Sequence, residues 1–335
     1  MLTATMTDAL PESVLSRAVA AVYANEASVL PLSISTSSEH SNAQAEIRFA
    51  NGRTLMVKRA RHTWASARFT ASRRACHLLR KRTGIIAPEP LDLPEPDDGF
   101  PVEAYWRIDL PTLGEVWPHL SAQERGWALR HWGRLMARVH GVRFRGHGPL
   151  AGGELGSLSG YLEADLGERL LPASQAVWPE GVPLVASLLE SAPSVACRTD
   201  GDAVLVHNDL HMRNVLCKRT RHSARAVGVL DLEAAFAGPP EADMAHTEVL
   251  HGPICGMPLP SGWLQEVRRG YGRGLDPVVL AFFRAYHLAN LGFHAALCGW
   301  PDRAAEILAL AVQEDLPGGG SGSRLRVPGA VAAPV

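Results

Sequence analysis

The chain has 335 residues, of which 46% are hydrophobic and 20% are charged. Its formal net charge of −1 shows none of the basic excess expected of a nucleic-acid-binding protein. No segment reaches the run of about 18 apolar residues that a membrane helix needs. We therefore expect one large domain or two lobes around a full apolar core, with no nucleic-acid or membrane partner.

The N-terminal segment and the cysteines indicate a cytoplasmic protein. Residues 1–30 have no basic region followed by an apolar core, so they do not resemble a signal peptide. The five cysteines are odd in number, widely spaced and without a C-x-x-C motif. This pattern argues against a disulfide framework, and we expect a reducing cytoplasmic location.

The pattern of residues 1–110 predicts a small lobe rich in strands. An amphipathic helix is expected over about 8–24, followed by a strand in SVLPLSIS and a polar turn in TSSEHSNA. The stretch AEIRFANGRTLMVKRA has the pattern of a hairpin, and its Asn51-Gly52 pair favours a tight type I′ turn. ASARFTASRRACHLLRKR predicts a second helix, and PVEAYWRIDL predicts one more strand after a proline-rich loop.

Residues 111–316 instead predict a larger helical lobe, reached through a linker near 106–112. Its first long helix follows a capping box formed by Ser121 and Glu124. Two further helices, in LSGYLEADLGERLL and PLVASLLESAP, precede strand-loop-strand segments around 203–231. More helices follow to the end of this lobe.

The end of the chain differs from the rest in composition. Residues 317–335 are rich in Gly, Pro and Ser, and we expect them to form a disordered tail. The predicted organisation is therefore a lobe of residues 1–110, a lobe of residues 111–316 and this tail.

Two polar clusters each follow an apolar, strand-like run. HNDLHMRN, residues 207–214, comes directly after AVLV, and an acidic pair ends VLDLE further along. A zinc site is one interpretation, since His207 and His211 are four residues apart with Cys217 nearby, but the segment begins as a strand and Asn214 is a poor zinc ligand. Ordinary loop residues would explain the polarity and leave the order of the residues unexplained. The third interpretation makes the two clusters halves of one catalytic site.

The order of the residues favours the third interpretation. His207, Asp209 and Asn214 reproduce H-x-D-x-x-x-x-N, the spacing of a kinase catalytic loop. In that arrangement the aspartate accepts a proton from the attacking hydroxyl or orients it, and the asparagine oxygen binds a magnesium ion (Mg²⁺). Asp231 and Glu233 are two residues apart, so an extended chain would present them on one face. Carboxylate and amide oxygens are the ligands that Mg²⁺ prefers.

These motifs resemble the aminoglycoside phosphotransferase and choline kinase-like family of small-molecule kinases. VLVHNDLHMRNVL is similar to the catalytic loop of that family, and GVLDLEAAFAGPPEADMA to its metal-binding segment. LMARVHGVRFRGHGPL resembles the stretch that closes the first helix of its larger lobe, and the likeness covers about residues 28–300. The resemblance implies an α+β, bilobal, protein-kinase-like fold. It also implies a small nucleotide-binding lobe that takes ATP or GTP as co-substrate.

The resemblance also implies roles for individual residues. Asp209 corresponds to the catalytic base, Asn214 and Asp231 to the magnesium ligands, and Lys58 to the phosphate-binding lysine. His207 would support the catalytic loop, Glu233 the metal segment, and Asp243 a structural contact at the start of the next helix. Backbone amides and hydroxyls of the polar turn, from Ser37, Ser38 and Ser41, would cover the phosphates.

Lys58 also has support from its own position, but its usual partner is missing. It lies at the end of the hairpin's second strand, and the only other lysines are Lys81 and Lys218. Kinases of this fold pair that lysine with a glutamate on the following helix. Here no Asp or Glu occurs between Ile47 and Pro88, and Ser72 falls at the corresponding position. We expect Lys58 to be held by Ser72, by a water or by a carboxylate such as Asp231.

The sequence excludes a protein kinase and leaves the acceptor open. Asp231 is not followed by the glycine of a D-F-G motif, and the segment up to Asp243 is too short for an activation loop. Acidic and basic residues nearly balance in the larger lobe, which favours a neutral or weakly charged natural product such as a nucleoside or macrolide over a polycation. Aminoglycosides stay possible. The alternatives are a metabolic kinase for a choline-, homoserine- or sugar-like substrate, and a nucleotide-binding pseudokinase.

Overall fold

The computed structural model describes residues 10–25, 31–37, 42–60, 66–93, 99–199, 203–220, 223–252, 259–314 and 316. Within these ranges the chain forms the two lobes that the sequence predicts, a smaller one built on a β-sheet and a larger one built mainly of helices. The boundary proposed at residue 110 stays a prediction. The tail of residues 317–335 lies outside the described residues.

The smaller lobe is an antiparallel sheet whose strands run in the order β1-β2-β3-β5-β4. Helix α1 packs on the sheet and shares its apolar core, whereas α2 follows β3 and runs towards the larger lobe. The elements are α1 (Glu12–Asn25), β1 (Pro31–Ser37), β2 (Asn42–Phe49), β3 (Thr54–Ala60), α2 (Ser66–Thr83), β4 (Pro90–Leu91) and β5 (Val102–Trp106).

The hairpin between β2 and β3 exists as predicted, but its turn is of a different type. The Phe49 amide donates to the Arg53 carbonyl at 2.9 Å, which leaves a three-residue loop. Only Gly52 in this loop has a positive φ, of 82°, whereas a type I′ turn would also need one at Asn51. The glycine therefore acts as the left-handed third residue of a longer loop, and the expected type I′ turn is wrong. The pairing of Lys58 is set by this register.

The larger lobe is held together by helices that cross one shared apolar core. Ser121 and Glu124 form the predicted capping box at the start of α4, and α10 packs against α7, α8 and α11. The helices are α3 (Leu113–Val116), α4 (Ala122–Val139), α5 (Leu158–Leu162), α6 (Leu171–Val177), α7 (Val182–Arg198), α8 (Pro240–Leu250), α9 (Trp263–Tyr271), α10 (Pro277–Leu297) and α11 (Pro301–Ala311).

The helix predicted in LSGYLEADLGERLL is interrupted by a π-helical segment. Residues Glu163–Leu170 take this wider winding between α5 and α6. Asp165 inside it accepts hydrogen bonds from both Arg169, at 2.6 and 2.8 Å, and the Tyr286 hydroxyl, at 2.7 Å. π-helical turns, with hydrogen bonds between residues i and i+5, are rare and occur often at functional sites.

Short strands position the polar clusters. The strands of the larger lobe are β6 (Arg143–Phe144), β7 (Gly148–Pro149), β8 (Ala203–Val206), β9 (Val215–Thr220), β10 (Ser223–Val229) and β11 (Phe236–Gly238). They form one sheet of order β6-β8-β11-β7 and a separate β9-β10 hairpin. The first cluster follows β8 and the second follows β10, which confirms that both lie at strand ends.

The β9-β10 hairpin contacts the chain that connects α2 with β4. The Ile86 amide donates to the Val227 carbonyl at 3.2 Å, and the Val229 amide donates to the Ile86 carbonyl at 2.9 Å. Gly228 lies between these bonds, and a Cβ there would come within 2.4 Å of the Ile86 carbonyl oxygen. This close approach ties the segment before Asp231 to the end of the smaller lobe.

No helix among the described residues is long and apolar enough to cross a membrane. The cysteines in these ranges, Cys76, Cys197, Cys217 and Cys298, are free thiols. The expected cytoplasmic location stays a prediction.

Candidate active site

A buried carboxylate anchors the loop that follows β8. Asp243, on the first turn of α8, accepts from the backbone amides of His207 at 2.9 Å and Asn208 at 2.7 Å. Its Oδ2 also lies 2.9 Å from Nε2 of His140, the residue directly after α4. Asn208 has a φ of 62°, a left-handed conformation that asparagine tolerates better than most residues. Asp243 therefore makes the contacts of a structural residue, and its correspondence to the acidic residue of the family stays a prediction.

Burial alone would raise the pKa of Asp243. The hydrogen bond from His140 and the nearby His140 and His207 rings outweigh that effect, so the pKa of Asp243 is held below its ordinary value. The carboxylate is thus ionised, and it satisfies two backbone donors that no strand or helix partner reaches.

His207 connects the two polar clusters. Its ring is fully buried, and Nε2 lies 2.8 Å from the carbonyl of Leu230, the residue before Asp231. A carbonyl can only accept, so the proton of the neutral ring belongs on Nε2. Burial lowers the pKa of His207, which favours this neutral form. These contacts hold the loop of the first cluster against the segment before Asp231, and the supporting role of His207 in catalysis stays a prediction.

Asp209 and Asn214 lie side by side on the loop. The amide nitrogen of Asn214 donates to the Asp209 backbone carbonyl at 2.9 Å and to Asp209 Oδ2 at 3.1 Å. Both contacts use the nitrogen, and among the described residues the amide oxygen of Asn214 has no hydrogen-bond partner, which leaves it able to act as a ligand. His211 is the next polar neighbour, with Nε2 3.7 Å from Asp209 Oδ1.

The surroundings of Asp209 favour its protonated form when no cation is bound. Burial, followed by the negative charge of Asp231, raises the pKa of Asp209 to about 8. The hydrogen bond from Asn214 and the charge of Lys58 oppose this rise without cancelling it. A perturbed carboxyl group with a specific charged neighbour is a common sign of a functional site.

Lys58 lies against both acidic residues of the second cluster. Its ammonium nitrogen is 3.0 Å from Asp231 Oδ1 and 2.8 Å from Glu233 Oε1. Burial alone would lower the pKa of Lys58, but the electrostatic interactions with Tyr105, Asp231 and Glu233 outweigh it and hold the pKa well above its ordinary value. Burial likewise opposes ionisation of Asp231, yet Lys58 keeps the pKa of Asp231 below its ordinary range.

Asp231 and Glu233 point the same way for a reason other than the predicted one. β10 ends at Val229, and Asp231 has a left-handed φ of 58° instead of an extended conformation. The shared direction comes from the shape of the loop, and strand alternation plays no part in it. A non-glycine residue in this region carries backbone strain, which is found preferentially at functional sites.

The partner of Lys58 is among those expected from the sequence. Asp231 holds the ammonium together with Glu233, whereas the Ser72 hydroxyl bonds instead to Glu103 Oε2 at 3.4 Å. Ser37 is the last residue of β1. Ser38 and Ser41 lie outside the described residues, so the covering of phosphates by this turn stays a prediction.

The zinc interpretation gains no support from the geometry. Across the described ranges, no group of three or more His, Cys, Asp or Glu side chains is arranged to hold a metal ion. The fit to Mg²⁺ depends on other donors. The Asp231 carboxylate and the free amide oxygen of Asn214 are hard oxygen ligands, of the type that leaves remaining positions to water and phosphate oxygens.

Sequence reasoning missed three polar residues that contact the site. Asn42 donates to Glu233 Oε2 at 2.8 Å, His140 bonds to Asp243, and Glu103 lies beside Lys58 on the neighbouring strand. Glu103 had a detectable signal, since it is a charged residue inside the otherwise apolar stretch PVEAYW. Asn42 and His140 lie in stretches whose pattern does not distinguish them from surface residues.

The comparison with known families agrees with this geometry. The family model described as the phosphotransferase enzyme family matches residues 35–286, and the chain belongs to that family. It is a small-molecule kinase, a phosphotransferase that uses an alcohol group as acceptor. The resemblance stated from the motifs is thereby confirmed. No protein in a search of curated sequences matches the chain.

Solved structures with the same fold include several antibiotic phosphotransferases. A thermostable mutant of the aminoglycoside phosphotransferase APH(4)-Ia, in a ternary complex with ADP and hygromycin B, is 18% identical with a TM-score of 0.65, and the match covers 90% of this chain and 98% of that one. A macrolide 2′-phosphotransferase type I is 17% identical with a TM-score of 0.59, covering 91% and 99%. The GDP and kanamycin complex of APH(2″)-IIIa is 15% identical with a TM-score of 0.60, covering 89% and 97%. These similarities confirm the bilobal kinase-like fold.

Proposed function

We propose that this phosphotransferase moves the γ-phosphate of ATP or GTP to a hydroxyl group of a small natural product, such as an antibiotic or its precursor. The observation that carries the proposal is the convergence of Asp209, Asn214, Asp231 and Lys58 between the two lobes. Asn214 bonds to Asp209 at 3.1 Å and Lys58 to Asp231 at 3.0 Å. Burial, followed by the charge of Asp231, raises the pKa of Asp209, so the two pairs interact electrostatically.

Each of these residues has a distinct part in the proposed transfer. Asp209 accepts the proton of the acceptor hydroxyl, or orients that hydroxyl, as the transferred phosphorus approaches. Asn214 and Asp231 hold Mg²⁺, which when bound neutralises charge on the phosphate oxygens. Lys58 contacts the same phosphates through its ammonium group. Electrostatic interactions with Tyr105, Asp231 and Glu233 raise its pKa and keep this group protonated.

The remaining residues support this set. His207 and Asp243 fix the backbone around Asp209 through buried hydrogen bonds, and Glu233 orients Lys58. Residues 1–110 are the proposed nucleotide-binding lobe, in which Ser37 and Ser41 cover the phosphates. A cytoplasmic location supplies both nucleotides.

The natural-product acceptor is supported by the solved structures of similar fold. One of those proteins is described with hygromycin B, one with kanamycin, and one is a macrolide phosphotransferase. The balance of charge in the larger lobe supports a neutral or weakly charged acceptor within that class. Asp165, for example, is already paired with Arg169 through two hydrogen bonds and with Tyr286, so its charge is compensated within the protein.

The test is a panel of acceptors assayed with ATP and with GTP, read out by mass spectrometry for an added phosphate. The panel contains aminoglycosides, macrolides, nucleosides, choline, homoserine and pentoses, and Asp209→Asn protein serves as the control for contaminating activity. Growth of a sensitive host that expresses the chain is measured against antibiotics of each class. Phosphorylation of choline, homoserine or a sugar alone would contradict the natural-product acceptor, and binding of nucleotide without any transfer would favour a pseudokinase.

A further inference from the structure

Lys58 lacks a helical carboxylate in this chain. Helix α2, which follows β3, contains no acidic residue over its whole length Ser66–Thr83. Lys58 instead bonds to Asp231 and Glu233, in the segment that holds the proposed metal ligand. When Asp231 coordinates a metal ion, its carboxylate can no longer bind Lys58 in the same way. A lysine that is to bind phosphate at that stage needs another carboxylate to position it.

Glu103 is the carboxylate that the sheet places beside Lys58. In the antiparallel pairing of β3 with β5, Lys58 and Glu103 are directly opposite each other. Directly opposite residues project to the same face of a sheet, with Cβ atoms about 4.5–5.5 Å apart. Both side chains are buried, at 5% exposure for Lys58 and 2% for Glu103. The side chains of Lys58 and Glu103 are therefore direct neighbours on adjacent strands of the sheet.

One carboxylate oxygen of Glu103 accepts a hydrogen bond, and the other has no partner among the described residues. Oε2 accepts a hydrogen bond from the Ser72 hydroxyl at 3.4 Å, and Ser72 is itself a buried residue of α2. Oε1 is buried and has no hydrogen-bond partner in the part of the chain that the structure describes. A buried acceptor without a donor is costly unless a functional state supplies one. The hydroxyl from α2 therefore orients the carboxylate and leaves Oε1 as an open acceptor.

Lys58 has the donor that this acceptor lacks. An ammonium carries three N–H donors, and the bonds to Asp231 and Glu233 use two of them. Burial raises the pKa of Glu103 to about 7, and the charge of Lys58 is the largest effect that opposes this rise, so the two groups interact electrostatically. A small rotation of the Lys58 side chain away from Asp231 therefore exchanges one carboxylate partner for another.

We propose that Glu103 is the positioning residue of Lys58 in the nucleotide-bound state, and that it replaces from strand β5 the glutamate that α2 lacks. Ser72 lies at the position on α2 where related kinases have the glutamate. It does not provide a carboxylate itself, but its hydroxyl holds the carboxylate of Glu103. This inference rests on the proposed function, since it assigns Lys58 to the nucleotide phosphates. Glu103 touches neither substrate nor metal and acts through Lys58 alone.

The test measures the dissociation constant of the magnesium complex of a non-hydrolysable ATP or GTP analogue by titration calorimetry. Glu103→Gln keeps the shape of the side chain and removes its charge, and we expect it to weaken binding about tenfold to a hundredfold, as for the loss of one hydrogen bond between charged groups. Glu46→Gln is the matched control, because Glu46 lies on β2 of the same sheet and pairs with Arg107 at the surface. We expect its binding to equal that of the wild type.

Two further variants separate positioning from a merely structural role. In a Lys58→Met background, Glu103→Gln should have no further effect on binding, since its action passes through Lys58. The exchange Ser72→Glu with Glu103→Ser conserves volume and charge and returns the carboxylate to the helix, so it should restore most of the affinity that Glu103→Gln loses. Melting temperatures of all variants are recorded alongside.

The outcomes distinguish the two proposals. Wild-type nucleotide affinity in Glu103→Gln would overturn the role of Glu103 and leave the proposed function standing. So would a Glu103→Gln change that weakens nucleotide binding equally in the wild-type and in the Lys58→Met background. A wild-type protein that binds neither nucleotide in the presence of Mg²⁺ would overturn the proposed function and this inference with it.

Discussion

The ammonium group of Lys58 lies 3.0 Å from the carboxylate of Asp231, although the two residues are 173 positions apart in the chain. The contact joins the sheet of the smaller lobe to the loop after β10 in the larger one. In this contact the positive charge of Lys58, the proposed phosphate-binding residue, and the negative charge of Asp231, the proposed metal ligand, compensate each other. A magnesium–nucleotide complex entering this site would have to separate them, and it would compensate both charges at once.

Asp209→Asn is expected to remove nearly all phosphate transfer while nucleotide binding survives. The substitution keeps the shape of the side chain but abolishes its capacity to accept a proton, and a positioned base contributes typically about 10²–10⁴-fold. The rate of transfer and the nucleotide dissociation constant are measured on the same preparation. Asp302→Asn, at an exposed position on α11, is the control. Turnover near the wild-type rate in Asp209→Asn would remove Asp209 from the catalytic role.

Asn214→Ala and Asp231→Asn are each expected to raise the magnesium concentration needed for half-maximal nucleotide binding. Each change removes one hard oxygen donor from the proposed metal site. Glu233→Gln is the matched control for Asp231→Asn, because it also removes a hydrogen-bonded carboxylate from Lys58 but leaves both proposed ligands in place. A magnesium titration should separate these variants. An unchanged magnesium requirement in Asn214→Ala and Asp231→Asn would locate the metal elsewhere.

Asp243→Asn is expected to destabilise the fold by roughly 3 kcal/mol, because it leaves buried donors of the catalytic loop without a charged acceptor. The native carboxylate accepts from the amides of His207 and Asn208 and contacts His140. Urea unfolding gives the free energy of unfolding for the variant and the wild type. Asp302→Asn is again the surface control. Equal stability of the wild type and Asp243→Asn would show that these three contacts contribute nothing to the folded state.

Glu103→Gln is expected to gain stability relative to the wild type as the pH rises from about 4.5 to about 7, when no ligand is bound. Burial raises the pKa of Glu103 from 4.5 to about 7 in the folded protein, with Lys58 opposing the shift and Glu233 adding to it. In this window the unfolded wild-type chain has lost the proton and the folded protein retains it. The folded state binds more protons, so wild-type stability falls with rising pH, by at most roughly 3 kcal/mol.

Glutamine does not titrate, so the difference between the two proteins isolates this one group. The free energies of unfolding are compared at several pH values between 4.5 and 8, and the difference should level off above the folded-state pKa. Parallel stability profiles across the whole range would contradict the raised pKa of Glu103.

Short-range chemistry explains what the sequence alone could predict. The order of His207, Asp209 and Asn214 is a local pattern, and a strand end followed by polar residues places such a loop at the edge of a sheet whatever the rest of the fold does. The capping box of Ser121 and Glu124 is equally local, since both partners lie within one helical turn. For the same reason the positions of the helices and the β2-β3 hairpin were predictable, and the family followed from the motifs.

Local pattern was insufficient where a backbone conformation depended on neighbouring segments. Asn51-Gly52 is compatible with more than one hairpin loop, and the register of the two strands selects the three-residue form. Asp231 was expected in an extended chain, but the contacts of the loop after β10 hold it in a left-handed conformation. The π-helical segment around Asp165 likewise has no distinct sequence signal.

The partners of Lys58 were decided only by the tertiary structure. A sequence shows that α2 has no acidic residue, but it cannot show which of many carboxylates approaches the lysine. That choice depends on the pairing of β3 with β5, which brings Glu103 beside it, and on the packing of the lobes, which brings Asp231 and Glu233 to its ammonium. The sequence was therefore enough to predict the site residues and their chemistry. The pairing of charged residues that are far apart in the sequence depends on how the two lobes pack together.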